Sequence, residues 1–211
     1  MSRSNDLSLD TVIYGASDLG CSVYEMLQDV ASTNLVGFLD DYLNFPKHNI
    51  NAQVIGDHHY LSKRSQPINV IICIGDNTKR RFIFEKISQI DSVRFSGFIH
   101  PEAWIEKSAR VSESAIVFPS AYVGAQCRIG SNTIVHPNST ISAYSSVGDF
   151  ALIAPNASIG SGADISSGVL IGLGATVNPG VSIGESAKIG ASAAVIKNVV
   201  AKRCVMGVPS A

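Results

Sequence analysis

The chain has 211 residues, enough for one large domain or two small ones. Hydrophobic residues make up 45% and charged residues only 16%, against roughly 25% charged in an average globular domain; 16 Lys plus Arg against 17 Asp plus Glu give a net charge of −1, which excludes a nucleic-acid grip resting on overall basicity. No apolar run approaches the roughly 18 residues of a membrane span and residues 1–10 lack a signal-peptide core, so a soluble, cytoplasmic protein is expected.

Residues 11–15 (TVIYG) are a short apolar β-type run ending in glycine, and residues 18–30 carry Leu19, Val23, Met26 and Leu27 at helical spacing, together a βα unit. Residues 35–39 predict a second strand ending in Asp40-Asp41, 53–56 a short third, 69–75 (NVIICIG) a buried fourth, 77–90 a basic amphipathic helix and 94–98 a last strand. His58-His59 precede a short helix and are expected at the surface. Strands alternating with helices predict a small, mostly parallel sheet, a Rossmann-like α/β domain over residues 1–98 with ligands at the carboxyl ends of its strands.

From Ile99 onward an Ile or Val recurs every sixth residue: Ile99, Ile105, Val111, Val117 and so on without a miss to Ile183, Ile189 and Val195, seventeen in all. Alanine often follows four residues later, as at Ala103, Ala121, Ala157 and Ala193, and glycine one residue later, as at Gly124, Gly148, Gly160 and Gly184. A period of six fits neither a helix nor a hairpin. An inward β-branched residue on each short strand, a small inward residue at the next bend and a turn-tolerant glycine between them predict a parallel β-helix of five to six triangular coils over residues 99–211. The charge deficit is concentrated here. Residues 1–98 hold 20 of the 33 charged residues, and no basic residue stands between Arg128 and Lys188. The uncharged outer faces are expected to meet neighbouring subunits and to border an acceptor groove.

This [LIV]-G-x4 series resembles that of the hexapeptide-repeat acyltransferases of left-handed β-helix fold. The order of Gly15-Ala16-Ser17-Asp18-Leu19-Gly20, Phe38-Leu39-Asp40-Asp41, Ile74-Gly75-Asp76-Asn77 with Arg80, an opening His100-Pro101 and a terminal Gly207-Val208-Pro209 narrows the match. It is similar to the two-domain acetyltransferases of bacterial surface-sugar biosynthesis, which include UDP-4-amino-sugar N-acetyltransferases of the bacillosamine pathway and sialic-acid O-acetyltransferase relatives. The resemblance implies acetyl-CoA as co-substrate, a homotrimer, a nucleotide-linked amino sugar held by the N-terminal domain and a pantetheine arm between neighbouring β-helices. Carried over by position, the sugar nucleotide would meet Gly15, Ala16, Ser17, Asp18, Leu19 and Gly20, with Asp40, Asp41, Asn77 and Arg80 around base, ribose and phosphates. A glycine-containing turn into a helix N-terminus suits a diphosphate, and carboxylates after a second strand suit ribose or base donors. A dinucleotide-binding reading competes, although Ser17 stands where G-x-G-x-x-G has glycine. By the same carry-over the coenzyme would run along Ser161, Gly162, Gly172, Leu173, Gly190 and Ala191 to Lys197, Val208 and Pro209. Lys188, Lys197, Lys202 and Arg203 could meet its phosphates or form a solvated cap.

Lined up through Val147-Gly148-Asp149-Phe150, the catalytic histidine of the resembling family falls on Ala143, between Ser142 and Tyr144; two further family histidines fall on Leu152 and Leu19. Alanine and leucine supply no general base. An amine that is already neutral can attack a thioester when well positioned, with a coil amide of Gly160 or Ser161 at the oxyanion. His136 is either a relocated base or a turn residue like His100, and Tyr144 with Asp149 could hydrogen-bond the sugar. The candidate catalytic residues are therefore His136, Ala143 and Tyr144. No metal is expected, because the coils lack three convergent histidines and Cys21, Cys73, Cys127 and Cys204 form no CxxC. Expected is a CoA-dependent N-acyltransferase of a nucleotide-linked amino-deoxy sugar; the alternatives are a catalytically silent nucleotide-sugar-binding or scaffolding homologue and an O-acetyltransferase.

Overall fold

The computed structural model describes residues 9–30, 33–42 and 52–209. The chain divides into two compact units, one ending at Phe98 and the other beginning at Ile99. In the first unit β1 (Thr11–Tyr14), β2 (Leu35–Leu39), β3 (Val54–Gly56), β4 (Ile68–Ile72) and β5 (Val93–Phe95) form one parallel sheet in the order β3-β2-β1-β4-β5. Every residue of β1 and β4 is buried, which is why both read as continuous apolar runs and not as alternating ones. Helix α1 (Asp18–Val30) turns Gly20, Val23, Tyr24 and Leu27 inward at helical spacing, with the Tyr24 ring 5.4 Å from that of Phe38. Gly20 is dictated by close approach: a Cβ there would lie 2.0 Å from the Gly15 carbonyl oxygen.

Boundaries shift in three places. The fourth strand ends at Ile72, leaving residues 73–76 as a loop, and helix α3 (Asn77–Ile87) stops short of residue 90, after α2 (His59–Ser62). The last expected strand is split: β5 ends at Phe95, while Phe98–Ile99 joins the first face of the β-helix. His59 opens α2 instead of preceding it, and His58 is half-buried rather than a free surface residue. With β2 and β3 on one side of β1 and β4 on the other, the winding reverses between β1 and β4, so the loops after these strands part and leave a crevice.

The second unit is a parallel β-helix of two-residue strands. Its first face stacks seven strands from Phe98–Ile99 to Cys204–Val205, its second six from Trp104–Ile105 to Ala194–Val195, and its third five from Arg110–Val111 to Ser182–Ile183. Each strand pairs with the one three hexapeptides later, as Ile105 with Val123 and Val117 with Val135. The β-branched series and the alanines four residues beyond fill one continuous core. Along this core an alternation of large and small side chains replaces the layered jigsaw of an ordinary domain.

The glycines have another cause than turn tolerance. A Cβ at Gly124 would lie 2.6 Å from the Ala143 amide nitrogen, and at Gly160 or Gly184 2.4 Å from the next coil's nitrogen, so these glycines permit coil-on-coil contact. The left-handed backbone falls two residues later, at Ser120, Gln126, Asn132, Asn138, Tyr144, Phe150 and Asn156, with φ between 52 and 64°. The period fails after Val195: Val199 bridges Ile183 and Val205 pairs with Ile189, so the last coil is two residues shorter than its predecessors.

Candidate functional site

The crevice of the first unit holds a cavity of about 380 Å³ lined by Tyr14, Gly15 and Ser17 after β1, Asp40, Asp41 and Tyr42 after β2, and Ile74, Gly75, Asp76, Lys79, Phe82 and Ile83 after β4. That volume lies in the range of small-ligand sites, roughly 300–1,000 Å³. Gly15 takes φ +109° where a Cβ would meet the Cys73 carbonyl oxygen at 2.7 Å, so the loops after β1 and β4 touch through it. Its amide donates to Leu39 O (2.8 Å), and the Ala16 amide donates to Asp40 Oδ2 (3.2 Å). The other Asp40 oxygen accepts from the Tyr42 amide (2.9 Å). A carboxylate of the chain itself thus already takes one of the loop amides that the glycine-loop reading offers to a diphosphate.

Asp41 is a junction of four segments. It accepts from the Tyr14 hydroxyl, from the His58 amide (3.3 Å) and from Lys86 Nζ (2.7 Å), and its Oδ1 lies 3.0 Å from His58 Nδ1. Burial by itself would raise its pKa, but the hydrogen bonds from Lys86, Tyr14 and His58 outweigh this and hold the carboxyl well below the usual range. Tyr14 moves the opposite way, its hydroxyl kept protonated by burial first and by the Asp41 carboxylate next.

Arg80 does not reach the cavity. It is completely buried, and its guanidinium donates to Ile74 O (2.7 Å), Gly75 O (3.3 Å) and Asn77 Oδ1 (2.8 Å). Burial pushes its pKa down to about 10, so it remains charged at neutral pH and fastens the loop after β4 from behind. This corrects its expected contact with phosphate, and the side-chain oxygen of Asn77 serves the arginine. Of the loop after β1 only Gly15 and Ser17 line the cavity; Ala16 and Gly20 are buried in packing, Asp18 is exposed and Leu19 half-buried.

Sequence reasoning missed Tyr42, Lys79 and Phe82. Helix α3 buries Arg80, Ile83 and Ile87, and its N-terminus is capped by Asp76, which accepts from the Lys79 amide (2.8 Å). Phe82 stands on the polar side and is 61% exposed. An aromatic residue out of phase with the helix's apolar stripe was the available signal.

In the β-helix the expected site residues fall on two corners. His136, Gly172, Leu173, Gly190 and Ala191 lie at the turns from first to second face, where the His136 ring stacks on Phe118 at 4.9 Å, and Val208 follows the last strand of the first face. Ala143, Tyr144, Ser161, Gly162 and Lys197 lie at the turns from second to third face, on successive coils: Gly162 N donates to Ala143 O (3.0 Å). Pro209 follows the short last strand. Within one chain His136 and Ala143 therefore sit at opposite edges of the second face. Asp149 occupies the third corner and accepts from the Ser131 amide (2.7 Å), so it does not share a stretch with Tyr144. Gly160 N is committed to Val177 O (2.8 Å), whereas the Ser161 amide has no acceptor among the described residues. Tyr144 is 72% exposed and holds a left-handed φ of 64°, an uncommon state for a bulky residue.

Asp57, His58 and His59 bring one potential ligand atom each within 4.8 Å of one another. Their Nδ1 atoms are already taken up, by Asp41 for His58 and by Asp57 for His59. No helix among the described residues is long and apolar enough to cross a membrane.

A parallel α/β unit with its cavity at the winding reversal, followed by a hexapeptide β-helix, is the order of parts in this chain, and its overall fold is shared with known acetyltransferases. Residues 10–87 match the PglD N-terminal domain. Over 96% of its length it superimposes, with a TM-score of 0.89, on 98% of the acetyltransferase domain of PglB from Neisseria gonorrhoeae in complex with acetyl coenzyme A, at 25% identity. A mutant of GDP-perosamine N-acetyltransferase from Caulobacter crescentus with one histidine replaced by alanine, in complex with CoA and GDP-perosamine, is 23% identical, with a TM-score of 0.89 over 96% of this chain and 95% of that one. WeeI from Acinetobacter baumannii is 21% identical, with a TM-score of 0.59 over 95% and 98%. No curated protein matches the chain.

Proposed function

We propose that this protein is a CoA-dependent N-acetyltransferase acting on the amino group of a nucleotide-linked amino-deoxy sugar in surface-glycan synthesis, and that it works as a homotrimer. The observation that carries the reading is the pairing of a nucleotide-sized cavity at the strand ends of the first unit with an unbroken hexapeptide β-helix in the second. The same fold, over 96% of the chain, occurs in structures whose names specify acetyl coenzyme A in one case and CoA with GDP-perosamine in the other. A trimer supplies what one chain lacks. Residues expected to serve coenzyme and chemistry lie on two corners of the prism, and rotational symmetry sets one corner of each copy against the other corner of its neighbour.

In this reading the amine arrives neutral, its nitrogen attacks the thioester carbonyl carbon, and the tetrahedral oxyanion accepts a hydrogen bond from the Ser161 amide. The C–S bond breaks and the amine proton leaves with the sulfur, giving amide and free thiol. Positioning carries most of the barrier reduction, because Ala143 and Ser142 offer no base. In the Caulobacter protein, the histidine-to-alanine replacement coexists with both bound ligands.

The deciding experiment mixes purified protein with acetyl-CoA and a panel of nucleotide-linked amino sugars and follows thiol release. Turnover with an amino sugar, rising with pH up to the amine's own pKa, is expected. No thiol above background, together with no CoA binding, rejects the enzyme. Ala143→His sharpens the result: a rate gain of about a hundredfold or more marks a site that has lost only its base. The alanine at position 143, where the resemblance places a histidine, favours a second reading, a silent nucleotide-sugar-binding homologue, which predicts nucleotide binding without thiol release.

A further inference from the structure

We propose that Tyr42 and Phe82 form the nucleobase subsite of the first unit's cavity, with Lys79 on the phosphate side. The inference rests on the nucleotide-sugar reading above and adds to it residues outside the glycine loop.

Tyr42 is 83% and Phe82 61% exposed, yet both line the same cavity. Neither ring is needed to bury its own element. Helix α3 is held by Arg80, Ile83 and Ile87, while Phe84 packs on Phe95 with ring centroids 4.3 Å apart. Phe82 stands one helical turn from Lys79, with Ile74 and Ile83 extending an apolar wall. Side chains three apart on a helix lie about 5–6 Å from one another, a spacing that lets one meet a base and the other a phosphate of one nucleotide.

Charge fixes which end of the ligand goes where. Three carboxylates line the cavity, and each is anchored: Asp40 by the Ala16 and Tyr42 amides, Asp41 by Lys86, Tyr14 and His58, Asp76 by the Lys79 amide. Lys79 is the one cation among the lining residues. A diphosphate is repelled by the Asp40–Asp41 side and drawn toward Lys79. An uncharged ring carrying N–H donors suits the aromatic faces and carboxylate acceptors next to it. Stacking supplies affinity for any base, since every base presents a π face.

The test titrates the full chain with UDP, GDP and pyrophosphate by calorimetry. Phe82→Ala and Tyr42→Ala are each expected to weaken diphosphate nucleosides about tenfold and to leave pyrophosphate unchanged. Lys79→Ala weakens the nucleotides as well. In Phe82→Trp the new indole is quenched by UDP or GDP and not by pyrophosphate. Both aromatic residues are exposed, so the melting temperature of each variant stays within a degree or two of the parent. Equal nucleotide affinity in the parent and both alanine variants overturns the subsite while leaving the nucleotide-sugar reading intact. A fall in pyrophosphate affinity in an aromatic variant overturns it too, because rings that touch only the base cannot cause one. A parent chain that binds neither nucleotide overturns both readings.

Discussion

Gly20 in the first unit and Gly160 in the second answer the same steric demand, since a Cβ would come within 2.0 Å of Gly15 O in one case and 2.4 Å of Pro179 N in the other. Their surroundings differ. Gly160 is one of a set that includes Gly124, Gly148, Gly172 and Gly184, each at the same place in a hexapeptide and each facing the next coil. Gly20 stands alone, locking α1 to the loop after β1. In the β-helix a residue's role follows from its position in the repeat, and neighbouring coils share the load. In the first unit roles are individual: Arg80 fastens one loop, Asp41 joins four segments, Asp76 caps one helix. The lesson concerns where chemistry can be placed. A repeat tolerates an unusual residue at a corner, as Tyr144 at a left-handed position shows, while the cavity of the first unit rests on single supports.

The largest expected effect breaks this comparison directly. Gly20→Val forces helix α1 off the loop and costs more than about 3 kcal/mol; calorimetry should show the first unit's transition lost and the β-helix transition kept. Arg80→Met leaves Ile74 O and Asn77 Oδ1 without their buried donor and costs about 2–3 kcal/mol. On the nucleotide-sugar reading, nucleotide affinity, read by titration, falls with it although Arg80 does not line the cavity. Asp41→Asn tests the junction through pH. The native carboxyl is held below its ordinary value, so its contribution is complete above the unfolded value of about 4 and disappears as pH falls through the depressed native value. The stability gap between the parent and Asp41→Asn, measured by urea unfolding, is therefore constant near neutrality and closes in acid. Tyr144→Gly relieves a left-handed tyrosine and stabilises by about 0.5–1 kcal/mol, read by urea unfolding. Asp149→Ala has the narrowest reach: losing the Ser131 amide bond costs about 1 kcal/mol of stability and changes nothing else.

Much of the candidate site was hidden for reasons visible in particular residues. Arg80 and Phe82 are two apart on one helix, and their side chains go opposite ways from what charge and polarity suggest: the arginine inward to three acceptors, the phenylalanine outward to a cavity. Asp41 finds His58 and Lys86 at separations of 17 and 45 residues, which no local pattern announces. Asp149 and Tyr144 were separable in principle, since residues five apart in a hexapeptide array belong to successive corners.

By itself the sequence determined the β-helix, because burial repeated every sixth residue is a local signal that only one architecture satisfies. It also determined the parallel sheet, whose central strands are apolar on both faces. The tertiary structure decided how the loops at the strand ends are tied together, which charges are consumed in doing so, that the repeat glycines serve coil contact and not the turn, and where the last coil shortens. These are questions of which partners meet in space, and they are answered by side chains far apart in the chain competing for the same few hydrogen bonds.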